Sequence, residues 1–344
     1  MALPSKTYIL TVEERDQLSN DVGLSPVTLA RFLAGQLELP DASARRIEAS
    51  ILDLGLGTTV SPVRTVALMV PDLTASYFAH MAQCVEREAL DLGWDLLIAM
   101  TGNDVGRELR LLDAFPSGNV AGVLLFTNNG ANDRLLQALA RRDDIVALAE
   151  AVPEGHAHRV VNDLQNVGRL AGEHLVSLGH RQIAFIGGPP LVASTRQIST
   201  AFSREIYPSL AARGDYQELL GAHSEEHGFS AMTRLAARSR RPTAILAGSS
   251  VIAQGIIRAC RQLELDLPGD VSLVAFDGTG PLDLLRPSVT SITVRMEDVA
   301  RRGLTLLRRR SGNRTRPLTD KVEVTLEIRE STAPPRVRRR RARL

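Results

Sequence analysis

The chain has 344 residues, 44% hydrophobic and 23% charged, with 41 Lys and Arg against 39 Asp and Glu, 2 cysteines and a formal net charge of +2. Such a balance suits two or three soluble domains with real cores and argues against a disordered, disulfide-built or membrane-spanning chain. The charge is uneven: six arginines (Arg336, Arg338, Arg339, Arg340, Arg341 and Arg343) crowd the end, and removing them from +2 leaves −4, while residues 1–60 hold 5 basic and 8 acidic side chains.

Thr11 with Glu14 three residues on is a capping-box pattern, predicting a helix over about 12–20. Gly23 follows as a turn. Ser25 as N-cap and Pro26 as first helical residue then start a second helix, with Leu29, Phe32 and Leu33 on its apolar side and Gly35 as its stop. A third helix follows Pro40–Asp41, with Ile47, Ile51 and Leu54 in helical period. The stretch LGLGTTVSP, 54–62, has no period and reads as a linker.

Beyond it, apolar runs alternate with amphipathic segments. Strands are expected at 63–70, 94–100, 120–126, 145–150, 183–188, 243–248 and 271–276, and helices at 76–92, 130–142, 164–178 and 251–264. This is the pattern of parallel sheets covered by helices on both faces. The length exceeds one such sheet, so two lobes with a cleft at the carboxyl ends of their strands are expected. The alternating run 321–331 reads as a late strand. The expected fold class is therefore α/β: a helical domain over 1–55, a linker over 56–62, a two-lobed domain over 63–333 and a disordered Arg-rich tail over 334–344.

Helix, glycine turn, firmly started second helix and third helix form the layout of a helix-turn-helix. Its second helix enters the DNA major groove with its N-terminal residues toward the base edges. Ser25, Pro26, Val27 and Thr28 would face the groove, and Arg31 would reach phosphate or guanine. The alternative is a plain three-helix bundle without a ligand.

The residues themselves carry a resemblance. DQLSNDVGLSPVTLARFLAG (16–35) resembles the DNA-reading helix pair of the lactose-repressor (LacI/GalR) family, matching at Asp16, Gly23, Ser25, Thr28, Arg31, Leu33 and Gly35. VPDLTASYFAHM (70–81), NDLQNVGRLAGEHLVSLGHRQIAFIGGP (162–189), LPGDVSLVAFDG (267–278), RPSVTSI (286–292) and IREST (328–332) are similar to successive segments of its sensor domain. The resemblance implies a helix-turn-helix domain joined to a periplasmic-binding-protein-like sensor, usually a homodimeric repressor controlled by a small molecule between the lobes. Operator DNA and an effector (a sugar, a nucleoside or another small molecule) are the implied partners.

Departures from the family pattern are equally specific. Leu56 stands where a Tyr is usual, and too few residues separate it from Val70-Pro71 for the customary hinge helix. In the effector pocket the resemblance points to Ser76, Phe78, Asp163, Arg196, Ile198, Ser250 and Asp277. Asp163 and Asp277 keep the family's residues. Ile198 replaces an Arg and Ser250 an Asp. Losing one charge of each sign implies a ligand other than a simple sugar, or none, since polyhydroxylated ligands need convergent charged groups. The alternative for the two aspartates is hydrogen bonding at the lobe hinge.

HSEEH (223–227) fits a zinc-peptidase spacing, with His223 and His227 one turn apart, but lacks a third ligand. No phosphate loop or nucleophile set stands out, so no enzyme, metal or cofactor is expected. The start MALPSKTYIL does not read as a signal peptide, and Cys84 and Cys260 lie far apart, so a reducing cytoplasm is expected. The rival readings are a small-molecule-binding protein without operator binding, an effector-independent regulator, and a sugar- or nucleoside-processing enzyme.

Overall fold

A computed structural model describes residues 7–33, 36–56, 58–60, 65–116, 119–148, 152–210, 215–278, 280–309 and 316–336. The first unit holds β1 (Thr7–Ile9), α1 (Val12–Val22), α2 (Pro26–Leu33), α3 (Asp41–Asp53) and β2 (Thr58–Val60). The capping box forms: Thr11 N donates to Glu14 Oε2 at 2.7 Å and Glu14 N donates to Thr11 Oγ1 at 3.2 Å. Leu18, Leu29, Phe32, Ile47 and Ile51 make its core. Each contributes about 1.5–3 kcal/mol by leaving water.

Two features of this unit depart from expectation. The TTV of the linker stretch is a strand, paired antiparallel with β1 from Thr7↔Val60 to Ile9↔Thr58. Leu56 is buried in the helical core beside Tyr8 and Leu10. Both ends of the unit are thus closed by a β-ribbon that no local period announces. No helix lies between α3 and residue 65 among the described residues. Gly35 lies outside them.

Two six-stranded sheets follow. Lobe one contains β3 (Thr65–Val70), α4 (Ser76–Leu90), β4 (Asp95–Met100), α5 (Val105–Ala114), β5 (Gly122–Leu125), α6 (Asp133–Ala140), β6 (Ile145–Ala147) and β7 (His158–Asn162). Lobe two contains α7 (Leu164–Ser177), β8 (Gln182–Gly187), α8 (Ala193–Leu210), β9 (Asp215–Leu220), α9 (Glu225–Ala236), β10 (Ala244–Ala247), α10 (Ser250–Gln262), β11 (Ser272–Asp277) and β12 (Thr290–Val294). The chain then returns to lobe one for α11 (Met296–Arg308) and β13 (Thr319–Val322), and ends in lobe two with β14 (Val324–Glu327). The strand orders are β13-β7-β6-β5-β3-β4 and β14-β12-β11-β10-β8-β9. All pairs are parallel except β12 with β14.

Central strands such as β3, β5 and β11 are buried on both faces, which explains their unbroken apolar runs. Three passages join the lobes, at Asp163, Arg295 and Glu323. The expected late strand 321–331 is therefore two short strands in different sheets, split at Glu323. Pro334 to Arg336 are described, with Arg336 Nη2 2.9 Å from Asp266 Oδ2. The remainder of the Arg-rich tail, 337–344, lies outside the described residues.

Candidate functional sites

Two places gather the chemistry: the exposed side of α2 and the cleft between the lobes. α2 starts where it does because Ser25 Oγ accepts from Thr28 N at 3.1 Å. Gly23, at φ 71, ends α1 with the left-handed turn that only glycine adopts freely. Leu29, Phe32 and Leu33 anchor one side in the core, turning Ser25, Pro26, Val27 and Arg31 to solvent, Val27 with 70% of its surface exposed. Thr28 is half-buried, its hydroxyl 2.8 Å from Ser25 Oγ. A helix start carrying small residues and one cation is suited to close approach to a phosphate backbone.

The cleft has a volume of about 420 Å³. It opens where strands of both sheets end, the usual place for ligands in such folds. Lobe one contributes the β3–α4 turn and the residues after β5, with Asp72, Ser76, Tyr77, Phe78, Phe126 and Asn128 on the wall. Tyr77, Phe78 and Phe126 meet edge to face, with centroids 5.4 to 5.9 Å apart. Such a cluster holds its rings rigid and offers flat apolar faces. Lobe two contributes Ser194, His223, Ser249, Ser250, Gln254 and Asp277 among others. Across the mouth, a Cβ placed on Gly280 would lie 3.1 Å from Ser76 Oγ, so the two lobes touch there.

The cleft's charges are few. Asp72 is held ionised by Thr74, whose hydroxyl and amide both donate to it, and its pKa is lowered mainly by that hydroxyl. Asp277 ends β11 in the left-handed region, at φ 72, and its Oδ2 accepts from Ser250 N at 3.2 Å. A non-glycine residue held there marks a backbone fixed by its surroundings. Burial, and secondarily His227, lowers the pKa of His223, whose ring packs on Gly188 so closely that a Cβ there would lie 2.2 Å from it. No Lys or Arg lines the cleft among the described residues.

The expected effector residues separate in space. Ser76, Phe78, Ser250 and Asp277 line the cleft together. Asp163 is drawn into the lobe passage, where it caps α7 through Asn166 N and pairs with Lys321 Nζ at 2.8 Å. It lines a smaller hollow of about 170 Å³ with Lys321 and Gln197. Ile198 is 1% exposed and packs against α7, where Gly168 leaves no room for a side chain. Arg196 turns to solvent and donates to Leu191 O at 2.5 Å. Tyr77, Phe126, His223 and Gln254 line the cleft without having been singled out as its residues in the sequence; Phe126 and His223 closely follow a strand's carboxyl end, while Tyr77 and Gln254 lie early in the helix that comes after one. Within HSEEH, His227 Nε2 lies 3.1 Å from Gly187 O, and Ser224 caps α9.

Residues 173–332 match the family described as a periplasmic binding protein-like domain. The HTH-type transcriptional repressor PurR of Salmonella arizonae is 24% identical over 288 residues, covering 83% of this chain and 84% of PurR. The transcriptional regulator CelR, solved as a cellobiose complex, superposes with a TM-score of 0.67 at 25% identity over 92% of this chain and 99% of CelR. A LacI-family regulator structure from Sanguibacter keddieii gives 0.68 at 26% identity over 78% of this chain and 97% of that one. A helix-turn-helix unit, a two-lobed sensor with its cleft, and relatives of this kind lead to one conclusion: the chain is similar over most of its length to LacI-family transcriptional regulators.

Proposed function

We propose that the chain is a homodimeric repressor whose α2 reads a pseudo-palindromic operator through Ser25, Pro26, Val27, Thr28 and Arg31, and whose cleft takes an uncharged small molecule rather than an anion. The observation that carries the effector class is the cleft's make-up: an aromatic triad, neutral amides and hydroxyls, two carboxylates and no cation among its described lining residues. A phosphate or carboxylate would lose its water there and gain no opposite charge, a cost that binding sites avoid. Hydroxyls and ring nitrogens can donate to Asp72 and Asp277, while rings stack on Phe78 and Phe126. CelR was solved with cellobiose, an uncharged sugar, so neutral sugars and nucleosides form one test set. Movement of the lobes about Asp163, Arg295 and Glu323 would transmit occupancy to the reading heads. Catalysis is no part of this reading, since the described residues of the cleft present neither an activated nucleophile nor an acid–base pair with a substrate position between them.

The test selects operator fragments from genomic DNA with the purified protein. It then measures operator affinity and melting temperature with neutral sugars and nucleosides, and separately with their phosphates. A neutral compound that shifts both supports the reading. Response to phosphorylated compounds alone, or failure to select any DNA, overturns it.

A further inference from the structure

Outside the cleft and the reading helix, a second group of chemically capable side chains converges where α4 packs on α11. His80 and Cys84 are one helical turn apart on α4. Glu297 is in the first turn of α11. Their donor atoms (one His ring nitrogen, the Cys84 sulfur and one carboxylate oxygen) all lie within 4.8 Å of one another. A tetrahedral ion with bonds of about 2.0–2.3 Å requires donors roughly 3.5 Å apart, so small side-chain rotations suffice. Among the described residues it is the only group of three or more such side chains this close.

We infer that His80, Cys84 and Glu297 form a binding site for a zinc-like divalent ion, with the fourth position open to water. The donor set selects the metal. One thiolate, one imidazole and one carboxylate suit Zn²⁺ or Co²⁺, whereas Ca²⁺ and Mg²⁺ demand all-oxygen shells. Burial gradient supplies an entry path: Cys84 is 1% exposed, Glu297 half-buried and His80 exposed. The ordinary alternative is a core thiol beneath a solvated His and a Glu placed for the α11 dipole. Against that stands the apposition of Glu297 and Cys84. The carboxylate oxygen, the thiol sulfur and a His80 ring nitrogen lie within 4.8 Å of one another, and a dication there would be shared by all three and release the thiol proton. The position gives the ion a structural role. α4 begins at Ser76 on the cleft wall, and α11 begins directly after the passage at Arg295. An ion there clamps one wall of the cleft to one strand of the hinge.

The experiment uses tag-free, reduced, full-length protein titrated with Co²⁺ and then Zn²⁺. The expected result is one equivalent of Co²⁺ bound, with a near-ultraviolet thiolate-to-cobalt charge-transfer band and tetrahedral visible bands, all displaced by Zn²⁺. About one proton should be released per ion near neutral pH. Cys84→Ser should abolish the charge-transfer band. His80→Ala, at an exposed position that does not endanger folding, should weaken binding roughly tenfold or more. Cys260→Ala, at the other buried cysteine, should leave the titration unchanged. Absence of the charge-transfer band in the parent protein overturns the inference. So does a band that survives Cys84→Ser, or affinity unmoved by His80→Ala.

Discussion

Lys321 Nζ lies 2.8 Å from Asp163 Oδ1, and the pair ties the first lobe passage to the strand that leads into the third. Asp163 N also donates to Val322 O at 2.9 Å, so backbone and side chain hold the same two strands together. Lys321 is mostly exposed and Asp163 partly so, and a pair of this kind contributes only about 0–1 kcal/mol to stability. Its position matters more than its strength. Lys321→Ala should leave the unfolding free energy within about 1 kcal/mol of the parent. It should reduce the ratio of operator affinities with and without effector by about 0.5–2 kcal/mol of coupling. Titrating operator DNA at saturating and zero effector measures both ratios; an unchanged ratio would remove the pair from the switching apparatus.

Arg31 is the one cation among the five groove-facing candidates on α2. Arg31→Ala should weaken binding to the selected operator by about 1–3 kcal/mol. Thr28→Ala should cost less than a bidentate base contact, about 1–2 kcal/mol, because Thr28 is half-buried and already bonded to Ser25. Anisotropy titrations on operator and scrambled duplexes separate loss of specificity from loss of charge. Parent-like affinity of both variants would show that another surface reads the DNA.

Asp277 joins the cleft to the start of α10. Asp277→Asn keeps an oxygen for Ser250 N and so should preserve the fold, while removing the charge a neutral donor ligand would use. The expected outcome is a melting temperature within a few degrees of the parent and effector affinity about tenfold weaker, close to the worth of one charge-assisted hydrogen bond. Equal affinity in calorimetry would move the anchoring role to Asp72.

His180 makes lobe two sensitive to acid. Its ring is buried between Thr243 Oγ1 at 2.9 Å, Ser272 Oγ at 3.1 Å and Ala333 O at 3.0 Å. Since a carbonyl only accepts, Nε2 carries the proton. Burial lowers the pKa to about 4 from 6.5. The unfolded chain therefore binds a proton that the folded one refuses. Stability is full above pH about 6.5 and falls as pH drops toward about 4, by a total of about 3 kcal/mol. Denaturant unfolding across this range should show a drop that His180→Gln lacks. Identical pH profiles for the two proteins would assign the acid sensitivity to other groups.

The net charge of −3 over residues 1–60 leaves phosphate attraction to come from elsewhere. Residues 338–341 and 343 are arginines and the densest positive charge in the chain. Removing 337–344, which spares the Arg336–Asp266 contact, should weaken binding to every duplex by a similar factor and flatten its dependence on salt. Parallel salt plots of equal height with and without those residues would mean that they never meet DNA.

Much of this protein is legible in its sequence because the signals are local. The Thr11–Glu14 box, the Gly23 turn and the Ser25–Pro26 start define α1 and α2 within a few residues. Fully apolar runs mark strands buried on both faces whatever their neighbours. The ordered matches to the LacI family extend that reading to the two lobes. Tertiary structure decided what depends on where the chain goes next. The period-2 alternation of 321–331 continues through Glu323, so nothing local announces that β13 and β14 belong to different sheets. TTV is a strand because TYI, fifty residues away, offers it an edge. Ile198 and Arg196 lie in the same helix as cleft-facing Ser194, and the rotation of α8 fixed by Gly168 sends one into the core and the other to solvent. Tyr77, Phe126 and His223 become one cleft only when two sheets bring their carboxyl ends together. Periodicity reports which face of an element is apolar; which partner covers that face is set by packing across the whole chain.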